Sequence, residues 1–107
     1  MALESDFQTK LRKEIENRFE GCITTKLDSG DIQGIPDLLI LYKNKWAALE
    51  VKRSEHESHR PNQDYYVDRL GKMSYSSFIY PENKEKVLDE IEQAFRPRRS
   101  ARVPKSK

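Results

Sequence analysis

Two apolar runs separated by a very short break constrain this chain more than any other feature in it. Asp37-Leu38-Leu39-Ile40-Leu41-Tyr42 and Trp46-Ala47-Ala48-Leu49-Glu50-Val51-Lys52 flank a break centred on Lys43-Asn44. The first run is nearly continuous in apolar residues, the pattern of a strand buried on both faces. Asn44 is a favoured turn residue, so the two runs read as a β-hairpin. A loop of Lys43-Asn44 sets Tyr42 opposite Lys45 and Asp37 opposite Glu50, and a longer loop over 42–45 keeps that register. Opposed residues share a sheet face with Cβ atoms about 4.5–5.5 Å apart. Lys52, two positions beyond Glu50, belongs to the same face. The hairpin therefore gathers two carboxylates and an ammonium at the end of otherwise apolar strands. Opposed like charges are destabilising, and a divalent cation between them reverses the sign. The spacing predicts a metal site.

The rest of the chain supplies elements to pack around the hairpin. Glu4 to Phe19 has the helical period, with Phe7, Leu11, Ile15 and Phe19 on one stripe. Glu4 falls on the line of that stripe and has two readings. It is either an N-terminal acid stabilised by the helix dipole or a third carboxylate aimed at the hairpin. Glu14, further off the stripe, is the reserve for that second role, and Gln8 could assist by hydrogen bonding. Gly21 ends the helix, and Cys22 to Leu27 has the β-branched content of a strand. Residues 28–34 form a turn-rich loop whose Asp28 and Asp31 have two readings, local backbone hydrogen bonds, the usual role of acidic turn residues, or reach to the metal. Pro36 holds Ile35 extended on the approach to Asp37.

Arg53 to Arg60 is polar and aperiodic, a flexible loop within reach of a substrate. Its His56-Glu57-Ser58-His59 lacks the spacing of the H-E-x-x-H zinc helix. Pro61 opens a helix running to Leu70 ahead of Gly71, with Tyr66, Val67 and Leu70 on its apolar side. Tyr75 to Tyr80 reads as a strand, placed at a sheet edge by its serines. Pro81-Glu82-Asn83 opens a last helix with Val87, Leu88, Ile91, Ala94 and Phe95 as its buried stripe, and Pro97 ends it.

Composition bounds the class. At 107 residues the chain is one domain with a modest core, and 36% of it is charged. No apolar stretch approaches the ~20 residues of a membrane span, and Met1-Ala2-Leu3-Glu4 has no signal-peptide pattern. A single cysteine, Cys22, excludes an intrachain disulfide and reads as a small buried apolar residue. A cytoplasmic, intracellular protein with no membrane partner is expected. The net charge of +2 hides an asymmetry. Residues 96–107 hold six basic side chains and no acid, which leaves residues 1–95 at −4. The expected organisation is a folded domain over 1–95 and a flexible basic tail over 96–107, drawn to phosphate.

Pro36-Asp37, followed after twelve residues by Glu50-Val51-Lys52, resembles the signature of the PD-(D/E)XK nuclease superfamily. Gly34-Ile35-Pro36-Asp37 and Arg60-Pro61-Asn62-Gln63 resemble its small virus-type replication-repair branch, common in phages. Archaeal Holliday junction resolvases share the same core. The resemblance implies an α/β fold of restriction-endonuclease type, an αβββαβα core with a mixed central sheet flanked by helices. It implies Mg²⁺, with Mn²⁺ as substitute, held by Asp37, Glu50, the Val51 carbonyl and Glu4. Lys52 would be catalytic, and Gln63 would help line the active site.

The activity so implied is metal-dependent DNA hydrolysis, with phosphate contacts from Lys26, Arg53, Arg60, Arg96, Arg98 and Arg99. No base-reading element stands out, so branched or flapped DNA, including the Holliday junction, is the expected substrate. Resolving a junction would call for a homodimer. A non-specific or nicking nuclease of the same fold, or a catalytically silent nucleic-acid-binding module, are the alternatives.

Overall fold

A computed structural model describes residues 4–97, with side chains from residue 6 onward. Its centre is the predicted hairpin, β2 (Leu38–Tyr42) and β3 (Lys45–Val51), paired antiparallel from Tyr42↔Lys45 to Leu38↔Leu49. That is the register read from the sequence. The turn residue that takes a positive φ, 56°, is Lys43 and not Asn44. β1 (Ile23–Lys26) pairs antiparallel with β2, and β4 (Tyr75–Ile79) pairs parallel with β3, giving the sheet order β1-β2-β3-β4. β4 is thus the edge strand that its serines suggested. The helices are α1 (Glu4–Arg18), α2 (Pro61–Met73) and α3 (Lys84–Ala94), the last entered through a short 3₁₀ turn at Pro81–Asn83. The chain is therefore an α/β fold of order α-β-β-β-α-β-α, with a mixed sheet flanked by helices on the pattern of an αβββαβα core.

Alternation along the strands divides the sheet. Leu38 and Ile40 of β2, Ala47, Leu49 and Val51 of β3, and Ile79 of β4 form one buried face. Leu11 and Ile15 of α1 and Val87, Leu88 and Ile91 of α3 close over it, with Phe19 just beyond α1 and Phe95 just beyond α3. Ala94, counted in that stripe from its spacing, is exposed. The two helices are clamped by charge. Arg18 bonds Glu92 and Asp89, and Lys84 Nζ reaches Glu14 Oε1 at 2.8 Å. Arg12 ties α1 to β1 through the Thr24 hydroxyl (3.1 Å) and carbonyl (3.0 Å), which accounts for a buried threonine. Cys22 stands just before β1, packed on the core, and burial pushes its thiol up.

The second face differs from the expectation of a strand buried on both sides. α2 covers only its β3–β4 half. Beside α2, Leu39, Leu41, Trp46 and Leu70 line an apolar trough of about 290 Å³, and Leu41 is 40% exposed. The apolar run of β2 reports strand character but cannot report how many helices are available to cover it. α2 also runs through Gly71 to Met73. A mid-helix glycine costs only about 1 kcal/mol, and this one packs 3.7 Å from the Ser76 carbonyl, measured from where a Cβ would stand.

Candidate active site

The polar residues collect where the hairpin ladder ends. Pro36, fully buried, precedes Asp37 on the approach to β2 and has no N–H to extend pairing. Asp37 takes over with both of its acceptors. Its carbonyl receives the Leu27 N–H (2.8 Å), and carboxylate Oδ2 receives the Val51 N–H (2.9 Å). On β3, Val51 points into the core, so its neighbours Glu50 and Lys52 emerge on the α2 side. Both side chains are buried, 4% and 5% exposed.

α2 supplies the residue that joins them. Pro61 presets the first helical residue, and Arg60 before it is extended (φ −90°, ψ 151°). Gln63, in the first turn, folds back so that its Oε1 accepts the Arg60 N–H at 3.0 Å. The same Oε1 accepts from Lys52 Nζ at 2.9 Å, while Nε2 donates to Glu50 Oε2 at 2.9 Å. Only one amide orientation satisfies these partners. Lys52 and the Arg60 N–H are pure donors and must face the oxygen, which leaves the NH₂ for the carboxylate. Gln63 is thus a neutral bridge between a buried acid and a buried base.

Two adjoining recesses open on this cluster, of about 420 and 350 Å³, and Asp37, Glu50, Gln63 and Arg60 border both. The larger is walled by residues 29–35 and the start of α2. Gly34 (φ 94°) lies there so close to Asn62 that a Cβ would come within 2.4 Å of it, so only glycine fits.

The other expected residues are distributed less tightly. Arg60 borders the site, and Arg53 is exposed beside it, its Nε 3.6 Å from Glu57. Lys26 is exposed on β1. Arg96 lies apart from the cluster, in a recess with Phe19, Tyr42 and Phe95 at the opposite, turn end of the hairpin. Glu14 does not reach the site either, because its carboxylate is held by Lys84. The Glu4 side chain, Arg98 and Arg99 lie outside the described residues. Asp28 caps its own loop by accepting the Gly30 N–H at 2.8 Å, the local one of its two readings. His59 stacks on Phe78 at 3.7 Å, with Nδ1 3.1 Å from Asp64.

Sequence reasoning missed Glu57. Its Oε2 stands 3.8 Å from Lys52 Nζ, on the border of the smaller recess, and the next residue gives Lys52 a carbonyl acceptor, Ser58 O at 3.2 Å. The segment has no periodicity to betray this. The only signal is an acid four residues after Arg53 in a loop that must return to Pro61.

Among the described residues no group of three or more His, Cys, Asp or Glu side chains is gathered to hold a metal. A hard cation such as Mg²⁺ asks for less. It takes oxygen ligands, keeps several waters and uses one or two carboxylates together with substrate phosphate. Asp37 and Glu50, bordering the same recesses, are a donor set of that kind. No helix among the described residues is long and apolar enough to cross a membrane. The sequence matches no protein-family model and no curated protein.

Proposed function

We propose that this chain is a Mg²⁺-dependent phosphodiesterase of the PD-(D/E)XK type that cleaves DNA, with Mn²⁺ able to substitute. One observation carries the reading: Gln63 locks a buried glutamate to a buried lysine beside Asp37, on the wall of an open polar recess. Asp37, Glu50 and the Val51 carbonyl would hold the cation, with Glu4 as a further carboxylate. When bound, the cation would polarise the scissile phosphate and lower the pKa of a coordinated water. Asp37 is kept as an aligned acceptor by the Val51 N–H. Lys52 donates to the phosphate and stabilises the negative charge that develops there, already aimed and shielded from bulk water. Gln63 holds that ammonium in place and keeps it apart from Glu50.

Arg60 and Arg53 flank the recess and would take neighbouring phosphates, with the basic C-terminal residues adding salt-dependent attraction. Among the described residues no base-reading helix stands out near the site, so a structure-specific endonuclease for branched or flapped DNA is the substrate reading, with a homodimer for paired cuts. The test is a panel of labelled substrates (Holliday junction, flap, splayed duplex, single strand, linear and supercoiled duplex) with Mg²⁺, Mn²⁺ or EDTA. Metal-dependent cutting with a preference for branches is expected. Binding to branched DNA without cutting in any metal would make the protein a silent binding module instead.

A further inference from the structure

Lys52 has three N–H groups, and two are committed, to Gln63 Oε1 at 2.9 Å and Ser58 O at 3.2 Å. The third lies among carboxylates that stand at nearly equal distances, Glu57 Oε2 at 3.8 Å and Glu50 Oε2 at 3.9 Å. Both are beyond hydrogen-bond reach. The ammonium is thus attracted by two carboxylates at nearly equal distance and closed onto neither. Glu57 is itself held in place: Oε1 accepts the Arg53 N–H at 2.6 Å, and its side chain is 21% exposed.

We propose that Glu57 is a positioning residue of this site: acting through Lys52, it keeps the third N–H turned toward the recess, where a phosphate oxygen of the substrate can receive it. The inference rests on the phosphodiesterase reading. Without the charge at 57, Glu50 is left without a competing carboxylate at that distance. Lys52 would close a direct pair with Glu50 and so withdraw from the phosphate. Glu57 touches neither the amide bridge nor Asp37, and therefore modulates the lysine without building the rest of the site. The segment between β3 and α2 works here as a strap, with Ser58 O and the Glu57 carboxylate fixing the ammonium from outside the sheet.

The test pairs structure with kinetics in Glu57→Gln, which keeps side-chain size and an acceptor for Arg53, and in Glu57→Asp, which keeps the charge. In a crystal structure of metal-free Glu57→Gln, Lys52 Nζ is expected within hydrogen-bond distance of Glu50. On the preferred DNA substrate kcat should fall roughly tenfold with KM within about twofold, the scale of a displaced catalytic group. Glu57→Asp should recover part of that loss. The proposal is overturned if Lys52 stays in place, if it moves while kcat holds, if the loss falls on KM alone, or if Glu57→Asp is no better than Glu57→Gln. A wild-type protein that cuts nothing would instead bring down the phosphodiesterase reading, an outcome distinct from an active wild type with indifferent Glu57 variants.

Discussion

The two faces of the β2–β3 hairpin bury their residues around Glu50 by opposite means. On one, Leu38, Ile40, Ala47, Leu49 and Val51 are completely buried against α1 and α3. On the other, Glu50 and Lys52 are almost as deep beneath the first turn of α2. Apolar burial is favourable by about 25 cal/mol per Å² and needs no further purpose. Burying an ion pair is different. Desolvation can exceed the attraction, and apolar residues of similar volume often serve stability as well or better. The first face is what folding asks of a strand, whereas the second is what a preorganised site asks, with fixed charges supported by a neutral bridge.

Substitutions on each face test that contrast. Lys52→Met strands Glu50 in a buried position with its cation gone, and should destabilise the protein by about 3–5 kcal/mol in urea denaturation. A stability gain would mean that the charged face is not held together by Lys52. Leu49→Ala, on the apolar face, should lose about 2–5 kcal/mol through transfer and cavity terms. If both variants are made, cleavage per folded molecule should survive only in Leu49→Ala.

A smaller effect comes from a hydrogen-bonded pair away from the site. Tyr75 donates to Glu90 at 2.6 Å. That bond holds the Glu90 carboxyl below its ordinary range, while burial and the same bond push the Tyr75 phenol up. A lowered carboxyl contributes stability above its unfolded value, about 4.3, that fades as pH falls. A raised phenol contributes below its unfolded value, about 10, and fades as pH rises. Tyr75→Phe should therefore flatten both flanks of the stability–pH curve, and an unchanged curve would show that the pair is not coupled to folding.

What was legible in the sequence follows the same division. The hairpin register could be read because the period of a strand is two and the loop is short, so the opposition near Asp37 and Glu50 followed from counting. Pro61 marks a helix start and so put Gln63 in a first turn, its place at the site was implied by the resemblance, and its amide bridge required the fold to bring that turn over β3. Glu57 was invisible, since it reaches Lys52 only through the return path of an aperiodic loop. The covering of β2 was misjudged for the reverse reason. Leu39 and Leu41 are as apolar as Leu38 and Ile40, and only the position of α2 distinguishes them. Arg96 and Glu14 looked available by charge, but the far end of the hairpin and Lys84 claim them.

The central claim is that the charged face exists for metal-dependent phosphodiester chemistry, and Asp37→Asn tests it most directly. Asparagine keeps an acceptor for the Val51 N–H but removes the charge. The measurement is the single-turnover rate of DNA cleavage in Mg²⁺, variant against wild type, with melting followed alongside. The account predicts a loss of about 10²–10³-fold, the scale of removing one preorganised electrostatic group, with melting little changed. A variant that cuts as fast as the wild type would contradict it.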